Sequence, residues 1–307
     1  MADLLQSPEA TPDPLRSDEP VAFLFPGQGS QTPRMREDVE RWCPGLAERT
    51  LEAVGTDPFM RIEEGTRFLQ PAIFCANLAG WRRLVELGST KAYIIGVAGH
   101  SLGELAALVA AGSISAEDGV KLVAIRSRLM DAAAKADPGG GMLAILGGDS
   151  DQVAAMAKRH GVTVANDNAP GQTVLSGPGA ALDAVSAEAR ASGLKAMRLP
   201  IRGAFHSPAM AAIVEEFESA VRAVAPQPPT LPVFSGVTAA PFDDIARRLA
   251  ESLVCGVRWR ETLHALEQHG AQRFVEVGPG KVLTKLVRRT LPHAEARAVA
   301  ELEEAHV

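Results

Sequence analysis

The chain has 307 residues, enough for one large domain or two smaller ones with a substantial hydrophobic core. Its formal net charge of -6 argues against nonspecific binding to nucleic acid or anionic lipid, so a small molecule or a protein is the expected partner. The three cysteines, Cys43, Cys75 and Cys255, have no paired spacing, which predicts neither a disulfide framework nor a cysteine-based zinc site and fits a reducing cytosol.

The first residues predict neither a secretion signal nor a membrane span. They are acidic, with four prolines in the first 20 positions, and they have no basic start and no apolar segment. No uninterrupted apolar run elsewhere approaches the length of a membrane-spanning helix. We therefore expect residues 1–19 to form a disordered leader and the protein to be cytoplasmic, without binding to membranes.

The pattern along the chain then alternates between strands and helices. Residues 21–25 form a short apolar run that leads into the sequence PGQGSQ, and residues 92–97 form a second run followed at once by helical spacing. Alternation of this kind predicts an α/β fold with a parallel sheet. Neither glycine-rich loop, GQGSQT or GPGKVL, completes a phosphate-binding motif, so no nucleotide cofactor is indicated.

The pattern changes after residue 138 to short strands and short helices, which indicates a small α+β insertion. The strands are expected at 143–146, 162–164 and 173–175, and the helices at 151–159 and 180–191. The chain then returns to the first pattern. Its expected elements are a helix at 208–224, a strand at 233–234, a helix near 243–253, and a strand, turn and helix at 273–289.

A serine lies where the strand pattern of the second apolar run changes into a helix pattern, in the sequence Gly99-His100-Ser101-Leu102-Gly103. A Gly-x-Ser-x-Gly turn between a strand and a helix is typical of a nucleophile elbow, because the glycines allow a tight bend that exposes the serine oxygen. The amide hydrogens at the start of the helix can face developing negative charge. An ordinary strand-to-helix turn is the alternative, since so short a pattern also arises by chance.

A serine nucleophile needs a base, and His206 is the best candidate among the seven histidines. In the sequence GAFHSPAM it precedes Ser207, the expected N-cap of a helix whose first residue is Pro208, so it lies at a rigid loop end. His100 adjoins the serine itself, and the other histidines lie in polar or terminal surroundings. A simple loop histidine is the alternative interpretation.

Arg126 belongs to the apolar face of a helix that Ser115 and Asp118 could cap. Its neighbours three and four positions away are all apolar, and a guanidinium among them is costly unless an anion meets it. That anion is either an internal carboxylate in a structural ion pair or a bound ligand. The neighbours are Leu122, Val123, Leu129 and Met130.

Five motifs occur in one order along the chain. They are Phe25-Pro26-Gly27-Gln28-Gly29-Ser30-Gln31, Gly99-His100-Ser101-Leu102-Gly103-Glu104, Asn166 and Asn168 with Pro170-Gly171-Gln172, Ala204-Phe205-His206-Ser207, and Glu276-Val277-Gly278-Pro279-Gly280. Together they resemble the malonyl-CoA:acyl carrier protein transacylases and the related acyltransferase domains of polyketide synthases. The resemblance implies an α/β fold in two parts. A large hydrolase-like subdomain with a parallel sheet core, residues 20–137 and 204–307, is interrupted by a small ferredoxin-like α+β subdomain, residues 138–203.

The resemblance also implies roles for individual residues. Ser101 is the nucleophile and His206 the base and later the acid, while the backbone amides of Gln28 and Leu102 form the oxyanion hole. Arg126 binds the malonyl carboxylate, to which a forked and permanently charged group is well suited.

Three further residues are placed by the resemblance in the substrate site, namely His100, Asn166 and Phe205. The ring of Phe205 would crowd an α-methyl group on the substrate, although a phenylalanine packed in the core is the alternative. Where the family often reads Asn-Pro-Val-Gln-Trp, this chain has Cys255-Gly256-Val257-Arg258-Trp259. That segment is thought to orient the catalytic histidine, either through the side chain at Arg258 or through a main-chain carbonyl.

The implied activity is a ping-pong acyl transfer. Ser101 takes a malonyl group from malonyl-CoA and passes it to the phosphopantetheine thiol of an acyl carrier protein, for fatty acid or polyketide synthesis. No metal or redox cofactor is expected, and the family suggests a monomer. Two alternatives stay open: an acyltransferase of a polyketide or malonate-processing system with a different carrier protein, and a serine acyl-thioester hydrolase, which shares the elbow but releases the acyl group to water.

Overall fold

The computed structural model describes residues 19–88 and 93–302. The leader expected at 1–19 lies outside the described residues except for Glu19, and so does the first residue of the strand expected at 92–97. In chain order the described strands are β1 (Val21–Phe25), β2 (Ile94–Gly99), β3 (Gly140–Leu146), β4 (Thr163–Ala169), β5 (Gln172–Pro178), β6 (Lys195–Arg202), β7 (Val233–Ser235), β8 (Ala240–Pro241), β9 (Arg273–Glu276) and β10 (Glu295–Ala298).

Helices follow most of these strands. The α-helices are α1 (Met35–Trp42), α2 (Leu46–Val54), α3 (Thr66–Glu86), α4 (Gly103–Ala110), α5 (Ala116–Ala136), α6 (Ser150–Arg159), α7 (Gly179–Ala191), α8 (Val214–Ala223), α9 (Ile245–Glu251), α10 (Trp259–Gln268) and α11 (Val282–Thr290). Short 3₁₀ helices occupy Pro58–Glu64, Pro208–Ile213 and Val299–Leu302. None of the described helices has both the length and the apolar character needed to cross a membrane.

The larger sheet has the order β10-β9-β1-β2-β7-β8 in the described chain, and only β8 runs antiparallel to its neighbour. All five residues of β1 are buried, as expected for a strand in a parallel sheet that helices cover on both faces. Phe23 and Phe25 pack against Trp81 of α3, whereas Ala22 and Leu24 belong to a second core built around Trp259 of α10. The α/β fold with a parallel sheet is therefore confirmed.

The carboxyl ends of β1 and β2 meet at one edge of this sheet. Phe25, the last residue of β1, pairs with Gly99, the last residue of β2. The loop PGQGSQ after β1 and the serine turn after β2 therefore leave the sheet side by side. In open parallel sheets this is the edge where ligands bind.

Residues 140–202 build a separate four-stranded antiparallel sheet in the order β4-β5-β3-β6. Together with α6 and α7 the chain order is βαββαβ, the ferredoxin-like arrangement. Leu143 and Leu175 of this sheet share a core of their own with Val153 and Leu182 of the two helices. These elements fall within the insertion expected at 138–203, and the division of the chain into two subdomains at those boundaries stays a prediction.

Two expected elements differ from the observed ones. The helix expected at 208–224 is a 3₁₀ helix followed by α8, because tight turns of this kind are common at helix starts. The strand expected at 162–164 continues to Ala169, since β4 keeps pairing with β5 beyond its apolar residues. Asn166 and Asn168 therefore lie within a strand, which hydrophobic periodicity could not indicate.

Candidate active site

Ser101 occupies a sharp turn between β2 and α4, with the positive backbone angle φ of 53° that L-residues rarely adopt. Both flanking glycines are required by close packing. A Cβ atom on Gly99 would lie 2.0 Å from the amide nitrogen of Glu104, and one on Gly103 would lie 1.9 Å from the carbonyl oxygen of Phe25. The strand, turn and helix expected of an elbow are thus observed, and the glycines are there because no side chain fits.

His206 makes a dyad with this serine. Its Nε2 atom lies 2.8 Å from Oγ of Ser101, and its Nδ1 atom lies 2.6 Å from the main-chain oxygen of Ser252. Because a carbonyl oxygen only accepts, Nδ1 carries the proton, which leaves Nε2 free to accept the serine proton. The loop before the 3₁₀ helix holds the ring in place, with Ser207 accepting a hydrogen bond from Ala209 N at 3.3 Å as the N-cap. This geometry is that of a general base poised on a nucleophile.

The surroundings of His206 favour its neutral form. The residue is only 5% exposed, and burial, followed by the positive charge of Arg126, lowers the pKa of the imidazole to about 3. A neutral imidazole can accept a proton at physiological pH. The ring is therefore in the basic state before substrate binds.

Arg258 does not orient this histidine, which corrects one alternative considered from the sequence. Its side chain forms an ion pair with Glu261 and donates to the carbonyl oxygen of Thr238 at 3.2 Å. Helix α9 ends just before Ser252, so a main-chain carbonyl acts on the ring instead. The change from glutamine to arginine at this position leaves the dyad untouched.

The main-chain amides of Gln28, in the loop after β1, and of Leu102, in the serine turn, are the expected donors of the oxyanion hole. A Cβ atom on Gly27 would lie 2.6 Å from the carbonyl oxygen of His100, so the loop after β1 approaches the elbow closely only because that residue is glycine. Within residues 19–88 and 93–302, the main-chain amides of Gln28 and Leu102 donate to no protein acceptor. Leu102 is also the N-cap of α4, where the helix dipole favours negative charge. Main-chain donors without a protein acceptor are what an oxyanion hole requires.

Arg126 reaches the serine from α5. It is 2% exposed, with Nη2 at 3.0 Å from Oγ of Ser101 and Nη1 at 2.7 Å from Oε1 of Gln70. No carboxylate of the described chain lies within ion-pair distance, so the structural ion pair considered from the sequence is not formed. Burial lowers the pKa of the guanidinium to about 10, while the more distant Glu104 acts in the opposite direction. A buried cation with only neutral partners is a site for an anion next to the nucleophile.

Three expected site residues remain, namely His100, Asn166 and Phe205. Nε2 of His100 pairs with Oδ1 of Asn168 at 2.8 Å, so Asn168 contacts this ring. Asn166 is buried on β4, and its backbone forms a bridge to Val257. Phe205 is 3% exposed and belongs to the main hydrophobic core while directly preceding His206, so it fits both interpretations of that ring.

The sequence interpretation missed several polar residues that hold the site. Gln70, Thr66 and Glu104 are all buried beside it. Gln70 could have been found from the sequence, because it is a glutamine inside the apolar sequence of α3 and a buried amide needs hydrogen-bond partners. Among the described residues, no group of three His, Cys, Asp or Glu side chains could hold a metal ion.

Comparison with known proteins shows which family the chain resembles. A family model described as "Acyl transferase domain" matches residues 56–305. The chain is 39% identical to the polyketide biosynthesis protein ThaF of Burkholderia thailandensis over 88% of its own length, although it spans only 24% of that protein. It is 36% identical to the malonyl CoA-acyl carrier protein transacylase of Bacillus subtilis, covering 92% of this chain and 94% of that one.

A solved structure with the same fold is the malonyl CoA-acyl carrier protein transacylase of Coxiella burnetii. It superposes with a TM-score of 0.85 at 31% identity, covering 92% of this chain and 94% of that one. The fold and the serine-centred site define a transferase of acyl groups. The chain belongs to the acyl transferase domain family and is an acyltransferase.

Proposed function

We propose that this acyltransferase moves a malonyl group from malonyl-CoA to the phosphopantetheine thiol of an acyl carrier protein. The observation that carries the proposal is the buried guanidinium of Arg126, 3.0 Å from the serine oxygen and without a carboxylate partner in the described chain. A malonyl group esterified to Ser101 ends in a carboxylate a few atoms from that oxygen. An acetyl group has no such charge and leaves the guanidinium unpaired.

In the first half-reaction the hydroxyl of Ser101 gives its proton to Nε2 of His206, and Oγ attacks the thioester carbonyl carbon. The oxyanion accepts hydrogen bonds from the amides of Gln28 and Leu102. When it collapses, the carbon–sulfur bond breaks and the proton on His206 passes to the leaving thiolate of CoA. The product is a malonyl ester on Ser101.

The second half-reaction reverses these roles. The thiol of the carrier protein gives its proton to His206 and attacks the ester carbonyl, and the same two amides stabilise the oxyanion. The carbon–oxygen bond to Ser101 breaks, and His206 returns the proton to Oγ. The chain's own groups supply each proton transfer, so the proposed reaction calls for no metal or redox cofactor.

We further propose that the protein works in the cytoplasm and as a monomer. Light scattering of the purified chain would test the oligomeric state. The pathway is a separate question, because one relative is named for polyketide biosynthesis and another for malonyl transfer alone. An acyltransferase that serves a polyketide carrier protein is the second candidate. Parallel assays with carrier proteins of both types would separate the two.

Mass spectrometry of the protein mixed with malonyl-CoA tests the proposal directly. We expect an adduct of malonyl mass that persists in buffer and disappears when a carrier protein is added. The Ser101→Ala variant should form no adduct. Rapid loss of the adduct in buffer alone would instead identify a serine acyl-thioester hydrolase.

A further inference from the structure

A chain of buried and partly buried side-chain hydrogen bonds connects Arg126 to the loop that follows β1. Nη1 of Arg126 donates to Oε1 of Gln70 at 2.7 Å, and Nε2 of Gln70 donates to Oε1 of Gln28 at 3.1 Å. Nε2 of Gln28 then donates to Oγ1 of Thr66 at 3.2 Å. Gln70 has no exposed surface, and Thr66 is 7% exposed. Three segments that are distant in sequence therefore meet around one glutamine.

The direction of these bonds is set at the arginine end. A guanidinium has only donors, so the amide of Gln70 must present its oxygen to Arg126 and its nitrogen to Gln28. Gln28 must in turn present its oxygen to Gln70, which turns its own nitrogen toward Thr66. Nε2 of Gln70 also lies 3.3 Å from the sulfur of Met130, which fills the remaining space around the amide. If either glutamine reversed its amide, a donor would face a donor or an acceptor would face an acceptor.

Gln70 makes no contact with Ser101 or His206, but both of its partners belong to the proposed reaction. Arg126 would hold the carboxylate of the acyl group, and the main-chain amide of Gln28 would hold the oxyanion. Because the side chain of Gln28 is tied to Gln70, the position of that main-chain amide depends on the same hydrogen bonds.

We propose that Gln70 is a positioning residue that fixes the acyl-carboxylate site and the oxyanion hole in one geometry through its single amide. The proposal rests on the function proposed above. It makes Gln70 matter for every acyl group, including those with no carboxylate. A residue that only supported Arg126 would matter for malonyl transfer alone.

The first test is Gln70→Met, which keeps the size of the side chain and removes its hydrogen bonds. Rates of serine acylation would be measured in single turnovers with malonyl-CoA and with acetyl-CoA. We expect the maximal rate with acetyl-CoA to fall about tenfold or more with little change in its KM, because a displaced oxyanion donor acts on the transition state. The exposed Gln268, changed to Met, is the matched control. An unchanged acetyl rate in folded Gln70→Met would overturn the proposal.

Gln70→Glu separates the two functions of the amide. The new carboxylate pairs with Arg126, and Gln28 can reverse its amide because the hydroxyl of Thr66 is able to donate as well as accept. We expect acetyl loading within about threefold of the parent rate and malonyl loading reduced about 50-fold or more, since the guanidinium is already neutralised. Equal losses for the two acyl groups would show that the side chain serves packing only.

Thr66→Val tests the same chain of hydrogen bonds at its other end and serves if Gln70→Met does not fold. It removes the acceptor for Gln28 without touching Arg126, so both acyl groups should load several-fold more slowly. Equal rates for Thr66→Val and the parent would count against the proposal even if Gln70→Met did not fold. Failure of the proposed function is a distinct outcome, because the parent protein itself would then form no acyl adduct.

Discussion

Nη2 of Arg126 and Nε2 of His206 contact the same oxygen of Ser101, at 3.0 Å and 2.8 Å. The hydroxyl accepts from the guanidinium and donates to the imidazole, so its single proton already points at the base. When an acyl group carries a carboxylate, the same guanidinium is available to bind it.

Arg126→Ala should therefore reduce malonyl loading about 100-fold, which corresponds to the loss of charge-assisted hydrogen bonds worth about 3 kcal/mol. Acetyl loading should survive or improve, because an uncharged acyl group gains nothing from the guanidinium. Adduct formation with each CoA ester, followed by mass spectrometry, measures both. Arg128→Ala, which removes an exposed arginine two positions along, is the matched control. Parallel loss of both activities would mark Arg126 as a structural residue.

His206→Ala should slow both half-reactions about 100-fold or more, because one base activates first the serine and then the incoming thiol. Acylation is measured with malonyl-CoA alone, and deacylation with the carrier protein added to preformed acyl-enzyme. His160→Ala, at the C-terminal end of α6, should leave both rates unchanged. A defect restricted to one half-reaction would contradict a shared base.

Glu104→Gln should change how stability depends on pH. Burial raises the pKa of the Glu104 carboxyl from 4.5 to about 7, although Gly236 N donates to it at 2.7 Å. Between these values the unfolded chain has released a proton that the folded chain still holds, so the parent loses stability as pH rises. By pH 7 the raised pKa has lowered the free energy of unfolding of the parent by about 3 kcal/mol.

Thermal unfolding of the parent and of Glu104→Gln at several pH values checks this expectation. The difference in Tm, variant minus parent, should grow in favour of the variant between pH 5 and pH 8. Glu117→Gln, an exposed change at the start of α5, should show no such trend. A constant difference across the range would mean that Glu104 titrates as it does in water.

Phe205→Leu should raise loading of methylmalonyl relative to malonyl, because the smaller side chain leaves room for an α-methyl group. An apolar pocket discriminates one methyl group by about 1–3 kcal/mol, so a change of about tenfold in the ratio is expected. Competition between the two CoA esters gives the ratio directly. Phe205→Ser opens more space but removes a buried ring, so its unfolding temperature must be measured as well. An unchanged ratio in folded variants would identify Phe205 as a core residue.

The catalytic candidates could be predicted from the sequence because local patterns mark them. Ser101 lies where strand spacing becomes helix spacing, His206 precedes a proline-started helix, and Arg126 interrupts an apolar face. The alternation of short elements predicted a small α+β insertion without β6, and the ferredoxin-like order came from the family resemblance alone.

Other features could not be predicted because they depend on contacts distant in sequence. Gln70 is 56 positions from Arg126, and nothing local indicates that they meet. The group that accepts a hydrogen bond from Nδ1 of His206 is the main-chain carbonyl of Ser252. Every residue type has this carbonyl, so the sequence does not mark it. The contact between Asn168 of β4 and His100 of the serine turn joins residues 68 positions apart.

Gly256 has a further consequence for the shape of the molecule. A Cβ atom there would lie 2.3 Å from the carbonyl oxygen of Val164, and the neighbouring Val257 exchanges backbone hydrogen bonds with Ala165 and Asp167 at 2.8 and 2.9 Å. Strand β4 and the segment that leads into α10 therefore meet backbone to backbone at this point. A side chain at position 256 would push against β4, the strand whose Asn168 contacts His100. The absence of a side chain at this one position thus lets β4 lie against the segment before α10 and keeps Asn168 within reach of the serine turn.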